Sequence, residues 1–100
     1  MSEKIRVSID PDLEDLIPGF LNNRRNDVVQ IRASLLTGDY TKIRLLGHSM
    51  KGAGGGYGFD PITDYGGEIE QAALKQDEAT VEAYVSRLED YLARVEPVFD

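Results

Sequence analysis

The apolar positions of the chain recur every three or four residues in five stretches, separated by short polar breaks. The cleanest stripe is Val81, Tyr84, Val85, Leu88, Leu92 and Val95, which predicts an amphipathic helix closed by Pro97. Ile62, Tyr65, Ile69, Ala72 and Ala73 predict the helix before it, entered through Gly58-Phe59-Asp60-Pro61, a turn with an N-cap and a proline start. Upstream, Ile43, Leu46, Met50 and Tyr57 keep one stripe over about 40–57, with small Ala53 and Gly54 in its middle. Phe20, Leu21, Val28, Ile31 and Leu35 mark a helix after Pro18, and Thr37-Gly38-Asp39 stops it and caps the next. A short helix over about 11–17 comes first, with Asp12, Glu14 and Asp15 near its positive end. The first nine residues show no clear period and read as an N-terminal extension. No stretch reads as a strand. The expected fold is all-α: one domain over 1–100, an antiparallel four-helix bundle with a short extra N-terminal helix.

Composition narrows the function classes. One hundred residues with 41% hydrophobic content suit a single modest core. The absence of cysteine excludes disulfides, thiolate metal sites and cysteine nucleophiles. A net charge of -7, with no basic stripe to offset it, disfavours nucleic acid and anionic membrane surfaces as partners. The opening MSEKIRVSID lacks a signal-peptide core, and no apolar run approaches a membrane span, so a cytoplasmic location is expected. The Met start and the Pro97-Val98-Phe99-Asp100 end suit a module that acts alone. The length leaves little room for a nucleotide-binding kinase domain, so any phosphoryl group is expected to arrive from another protein.

His48 is the one histidine, set in Leu46-Gly47-His48-Ser49-Met50-Lys51-Gly52-Ala53-Gly54-Gly55-Gly56-Tyr57-Gly58. With Ile43, Leu46, Met50 and Tyr57 facing the core, Arg44, His48, Lys51, Gly52 and Gly55 fall on a neighbouring outward stripe. Four helical glycines at 52, 54, 55 and 56 would forfeit about 3–4 kcal/mol relative to alanine. Two benefits offset that: Gly54 and Gly56 admit a neighbouring helix, while Gly52 and Gly55 leave the ground beside the imidazole bare. Lys51 and Arg44 are counter-charges for a phosphoryl group on His48. If the third and fourth of the five stretches fold back about Phe59, His48 lies eleven residues before it and Glu70 eleven after, so the two are level. Glu70 then accepts from Nδ1–H and leaves Nε2 as the nucleophile.

His48-Ser49-Met50-Lys51-Gly52-Ala53, followed by Gly58 and the Ile69-Glu70 pair, resembles the signature of histidine-containing phosphotransfer (HPt) domains of two-component and phosphorelay signalling. The resemblance implies a four-helix bundle of about this length and a phosphocarrier without kinase activity of its own. It implies His48 as phosphoacceptor through Nε2, Lys51 supporting the phosphoryl group, Gly52 clearing the approach, and Glu70 bonding the ring. The implied partners are a histidine kinase and a response-regulator receiver domain. The receiver would supply the aspartate and the Mg²⁺, and this chain would bind no cofactor. The receiver would dock around Arg44, His48, Gly52 and Gly55. The glycine triplet 54–56 is richer than that signature requires.

Blander readings stand beside this one. A lone histidine is ordinarily structural, Lys51 and Arg44 ordinarily solvated, and Glu70 equally a surface ion-pair partner. A metal site lacks a second histidine. A phosphate-cradling loop lacks both the preceding strand and a terminal Gly-Lys-Ser/Thr. The rival of a different class is a helical docking module that binds a receiver or kinase without being phosphorylated.

Overall fold

The computed structural model describes residues 3–100. Four helices carry the fold: α1 (Ile17–Thr37), α2 (Tyr40–Ala53), α3 (Asp60–Leu74) and α4 (Glu78–Arg94). Local chemistry sets their ends. Gly38 turns left-handed at φ 71°, its N–H donating to the carbonyls of Leu35 and Ser34, and closes α1. Asp39 and Asp77 accept from the backbone N–H of Lys42 and Thr80 at 3.1 and 3.2 Å and open α2 and α4. Pro18 sits in the first turn of α1, where its missing N–H costs nothing. The stretch expected as a short first helix is a 3-10 turn, Pro11–Leu16, capped by Asp10.

The apolar stripes meet in one core. Ile31 of α1, Ile43 and Met50 of α2, Ile62 and Ile69 of α3, and Val81, Val85 and Leu88 of α4 are fully buried there. Each such side chain contributes on the order of 1.5–3 kcal/mol when taken out of water. Contacts between α1 and α4 run in opposite order along the two helices: Arg25 donates to the carbonyl of Leu92, while Arg32 reaches Glu82, Ser86 and Glu89.

Strands do occur, contrary to the expectation from the sequence. β1 (Ile5–Ile9) and β2 (Val95–Phe99) pair in parallel, with Ile5 opposite Val95 and Ile9 opposite Phe99. Parallel strands need a long crossover, and here the four helices supply it. Ile5, Val7 and Ile9 alternate with exposed Arg6 and Ser8, and Ile9 is buried in the core. That period-two signal is present in residues that read as patternless. At the other end α4 stops at Arg94, and Val95 is already extended at ψ 133°, so it belongs to β2 rather than to the last helix. Pro97 therefore lies inside a strand of a two-stranded sheet, where an edge tolerates it.

The helix expected over 40–57 is also shorter than its stripe. α2 ends at Ala53, a 3-10 turn covers Gly55–Tyr57, and Gly58 turns left-handed at φ 92°. Of the four glycines counted against helix stability, only Gly52 lies within α2. Phe20 stacks on Tyr57 with ring centroids 4.3 Å apart, and on Phe59 at 5.6 Å, which ties this turn to the start of α1.

Candidate functional site

The site is built on the closest helix pairing of the fold, α2 against α3. Two glycines make that approach possible. A Cβ on Gly47 would lie 2.8 Å from both the backbone nitrogen of Glu70 and the carbonyl of Gly66. A Cβ on Gly66 would lie 2.7 Å from the backbone nitrogen of Lys51 and 2.8 Å from the carbonyl of Gly47. The backbones of α2 and α3 thus touch directly beneath His48, and Glu70 is drawn in beside the histidine.

His48 Nδ1 is 2.8 Å from Glu70 Oε2. An ionised carboxylate only accepts, so Nδ1 carries the proton and donates it. That assigns the tautomer with the lone pair on Nε2. Among the described residues Nε2 has no hydrogen-bond partner, and the side chain is 70% exposed. Glu70 differs sharply, with a side chain 11% exposed. Its other oxygen, Oε1, lies 3.7 Å from Nζ of Lys51, whose side chain is 53% exposed. One sunken carboxylate thus aligns the ring on one side and faces an ammonium on the other. Such an arrangement offers an incoming electrophile a fixed, unhindered nitrogen, with a cation one turn away to meet negative charge.

The other expected residues are placed as follows. Gly52 lies in α2 and is exposed, with nothing within 4 Å of where its Cβ would be. Gly55 is exposed too, but it sits past the end of α2 in the 3-10 turn, so it does not continue the helical stripe of His48. Arg44 is half-buried, lies with Tyr40, Thr41, Ala73, Leu74 and Gln76, and makes no ion pair with Glu70. Gly54 admits α3 as expected, whereas Gly56 faces open space. Sequence reasoning passed over Gly47, Gly66 and Thr63. A glycine next to the histidine, on the flank of its helix, was the available signal for a close approach. Among the described residues no three His, Asp or Glu side chains cluster to hold a metal ion. No described helix is long and apolar enough to cross a membrane.

Residues 15–97 match the Hpt domain family, and the chain belongs to it. It is thereby a phosphotransfer module of phosphorelay signalling, built as a helical bundle. No curated protein and no solved structure matches the chain.

Proposed function

We propose that this chain relays a phosphoryl group between Nε2 of His48 and the aspartate of a response-regulator receiver domain. The observation that carries this reading is the His48–Glu70 hydrogen bond, which leaves an exposed ring with Nε2 unengaged. The Nε2 lone pair attacks phosphorus in line, the bond from phosphorus to the aspartyl oxygen breaks, and the carboxylate leaves as an anion. The positive charge that develops on the ring is shared through Nδ1–H with Glu70. Lys51 meets the added negative charge on the phosphoryl oxygens. Return of the group to aspartate is the same step reversed. Mg²⁺ and the other groups that stabilise the transition state belong to the receiver, and a histidine kinase is the ultimate donor. The helices form an antiparallel four-helix bundle in this reading, as the opposite order of contacts in α1–α4 supports. We place the module in the cytoplasm, where such partners reside. A docking module that is never phosphorylated is the rival, and it gives no reason for the Glu70–Lys51 arrangement beneath an exposed imidazole.

Incubation with phosphorylated receiver domains tests the reading. Acid-labile, base-stable label should appear on this chain and map to His48. Failure to take label from any receiver, or label on another residue, ends it.

Gly52 offers a second measurement. Gly52→Ala meets no neighbouring atom within 4 Å and replaces a glycine in the last turn of α2, so it should stabilise the fold by up to about 1 kcal/mol. The same methyl group stands one turn from His48, on the approach to Nε2. Transfer from a phosphorylated receiver should therefore slow, by about ten-fold or more, in a protein that melts higher. Unchanged transfer would show that the receiver does not approach over Gly52.

A further inference from the structure

A continued α-helix would join the carbonyl of Lys51 directly to the N–H of Gly55. Here the hydroxyl of Thr63, from α3, stands between them. The N–H of Gly55 donates to Thr63 Oγ1 at 2.7 Å, and the same hydroxyl donates to the carbonyl of Lys51 at 3.1 Å. One residue earlier the ladder is intact, with the N–H of Gly54 donating to the carbonyl of Met50 at 3.0 Å. A side chain inserted into the ladder bends or ends a helix at that point, and α2 stops at Ala53. Gly54 makes the insertion possible. A Cβ there would lie 2.6 Å from the backbone nitrogen of Thr63 and 2.8 Å from its Oγ1.

We propose that Thr63 is a positioning residue for the phosphoacceptor site, acting through Lys51. The proposal rests on the phosphotransfer reading above. The last turn of any α-helix has carbonyls without helical partners and tends to fray. Gly52 within this turn, and Gly54, Gly55 and Gly56 directly after it, make it weaker still. Besides the close packing of its backbone nitrogen on Gly66, three contacts with α3 orient Lys51: its carbonyl to Thr63, its stem against Gly67, and its ammonium facing Glu70. A Cβ on Gly67 would lie 3.6 Å from Lys51 Cδ, so the stem lies close along α3. Of the three, only the Thr63 bond fixes the backbone from which the side chain springs. The hydroxyl sets where α2 ends and so keeps Lys51 directed over α3, within reach of a phosphoryl group on His48.

Phosphoramidate, a small donor that needs no docking surface, separates this role from partner binding. Thr63→Val should take up phosphate on His48 about three- to ten-fold more slowly, the scale of losing one or two hydrogen bonds. Thr63→Ser should restore the rate to within about two-fold, since it restores the same bridge. In a Lys51→Ala protein, Thr63→Val should cause no further slowing, because residues that act as one unit are not additive. Thr63→Ala removes the hydroxyl without a branched side chain and should show the same dependence on Lys51, whatever valine does to packing. A native rate in Thr63→Val and Thr63→Ala overturns the proposal. So does an equal loss with and without Lys51. A native chain that takes no label from phosphoramidate or from phosphorylated receivers overturns the phosphotransfer reading itself.

Discussion

A His48→Gln protein should fold as the native chain does and take up no acid-labile phosphate from any phosphorylated receiver. The ring is largely solvent-exposed, and among the described residues its hydrogen-bond partner is Glu70 alone. Removing it therefore takes little from the core, and an exposed substitution away from packing usually shifts stability by within about 0.5 kcal/mol. Glutamine keeps an amide N–H that can donate to Glu70, but its nitrogen has no available lone pair for attack on phosphorus. The loss should thus be complete in transfer and absent in circular dichroism and melting. Binding to the receiver should persist, because Gly52 and Lys51 are untouched. A His48→Gln protein that still accepts label would place the acceptor elsewhere. One that still signals in cells without label would favour the docking rival.

The second large effect belongs to Gly66→Ala, and its sign is set by two opposed terms. Alanine in a helix interior gains roughly 1 kcal/mol over glycine. Against that, the added methyl lies 2.7 Å from the backbone nitrogen of Lys51, 2.8 Å from the carbonyl of Gly47 and 2.9 Å from Cβ of Met50. Two of these neighbours are backbone atoms of α2 and cannot turn aside, so the helices must part. Overpacking of this kind costs about 1–3 kcal/mol and occasionally more. For a domain of about 100 residues each kcal/mol lowers the melting midpoint by ~4–8 °C. Parting α2 from α3 also lengthens the His48–Glu70 bond, so phosphate uptake should fall with stability. The Nδ1 proton resonance, held by Glu70 in the native chain, should broaden or vanish. The two terms net to a loss of up to about 2 kcal/mol; a Gly66→Ala protein more stable than native would mean that α2 and α3 do not touch backbone to backbone.

How much of this was legible in the sequence depends on whether a feature is local. His48 and Glu70 could be paired by counting outward from Phe59, because the two helices share one short turn. The core stripes of α3 and α4 were equally plain, since helical period repeats within the element itself. The end of α2 was not. A 3-10 turn keeps Tyr57 roughly on the stripe of Met50, so the apolar pattern ran on past Ala53. The device that stops the helix is the Thr63 hydroxyl on a backbone carbonyl, and backbone partners leave no trace in residue type. The strands were missed because each is five residues long and its partner lies at the far end of the chain. Ile5, Val7 and Ile9 did alternate, but Pro97 read as a helix stop. Gly47 and Gly66 carry the close approach, and a lone glycine within a helical pattern does not announce which neighbour it admits.

The parallel pairing of β1 with β2 has a kinetic corollary. Its partners lie near opposite ends of the sequence, whereas the two most extensive helix pairings, α2 with α3 and α3 with α4, join consecutive elements. Closing so large a loop has an entropic cost that nothing local offsets. The helices should therefore assemble first and the two terminal ribbons zip together last. In the native state the same ribbons should part soonest, with their amides losing protection against deuterium well before those of α2 and α3.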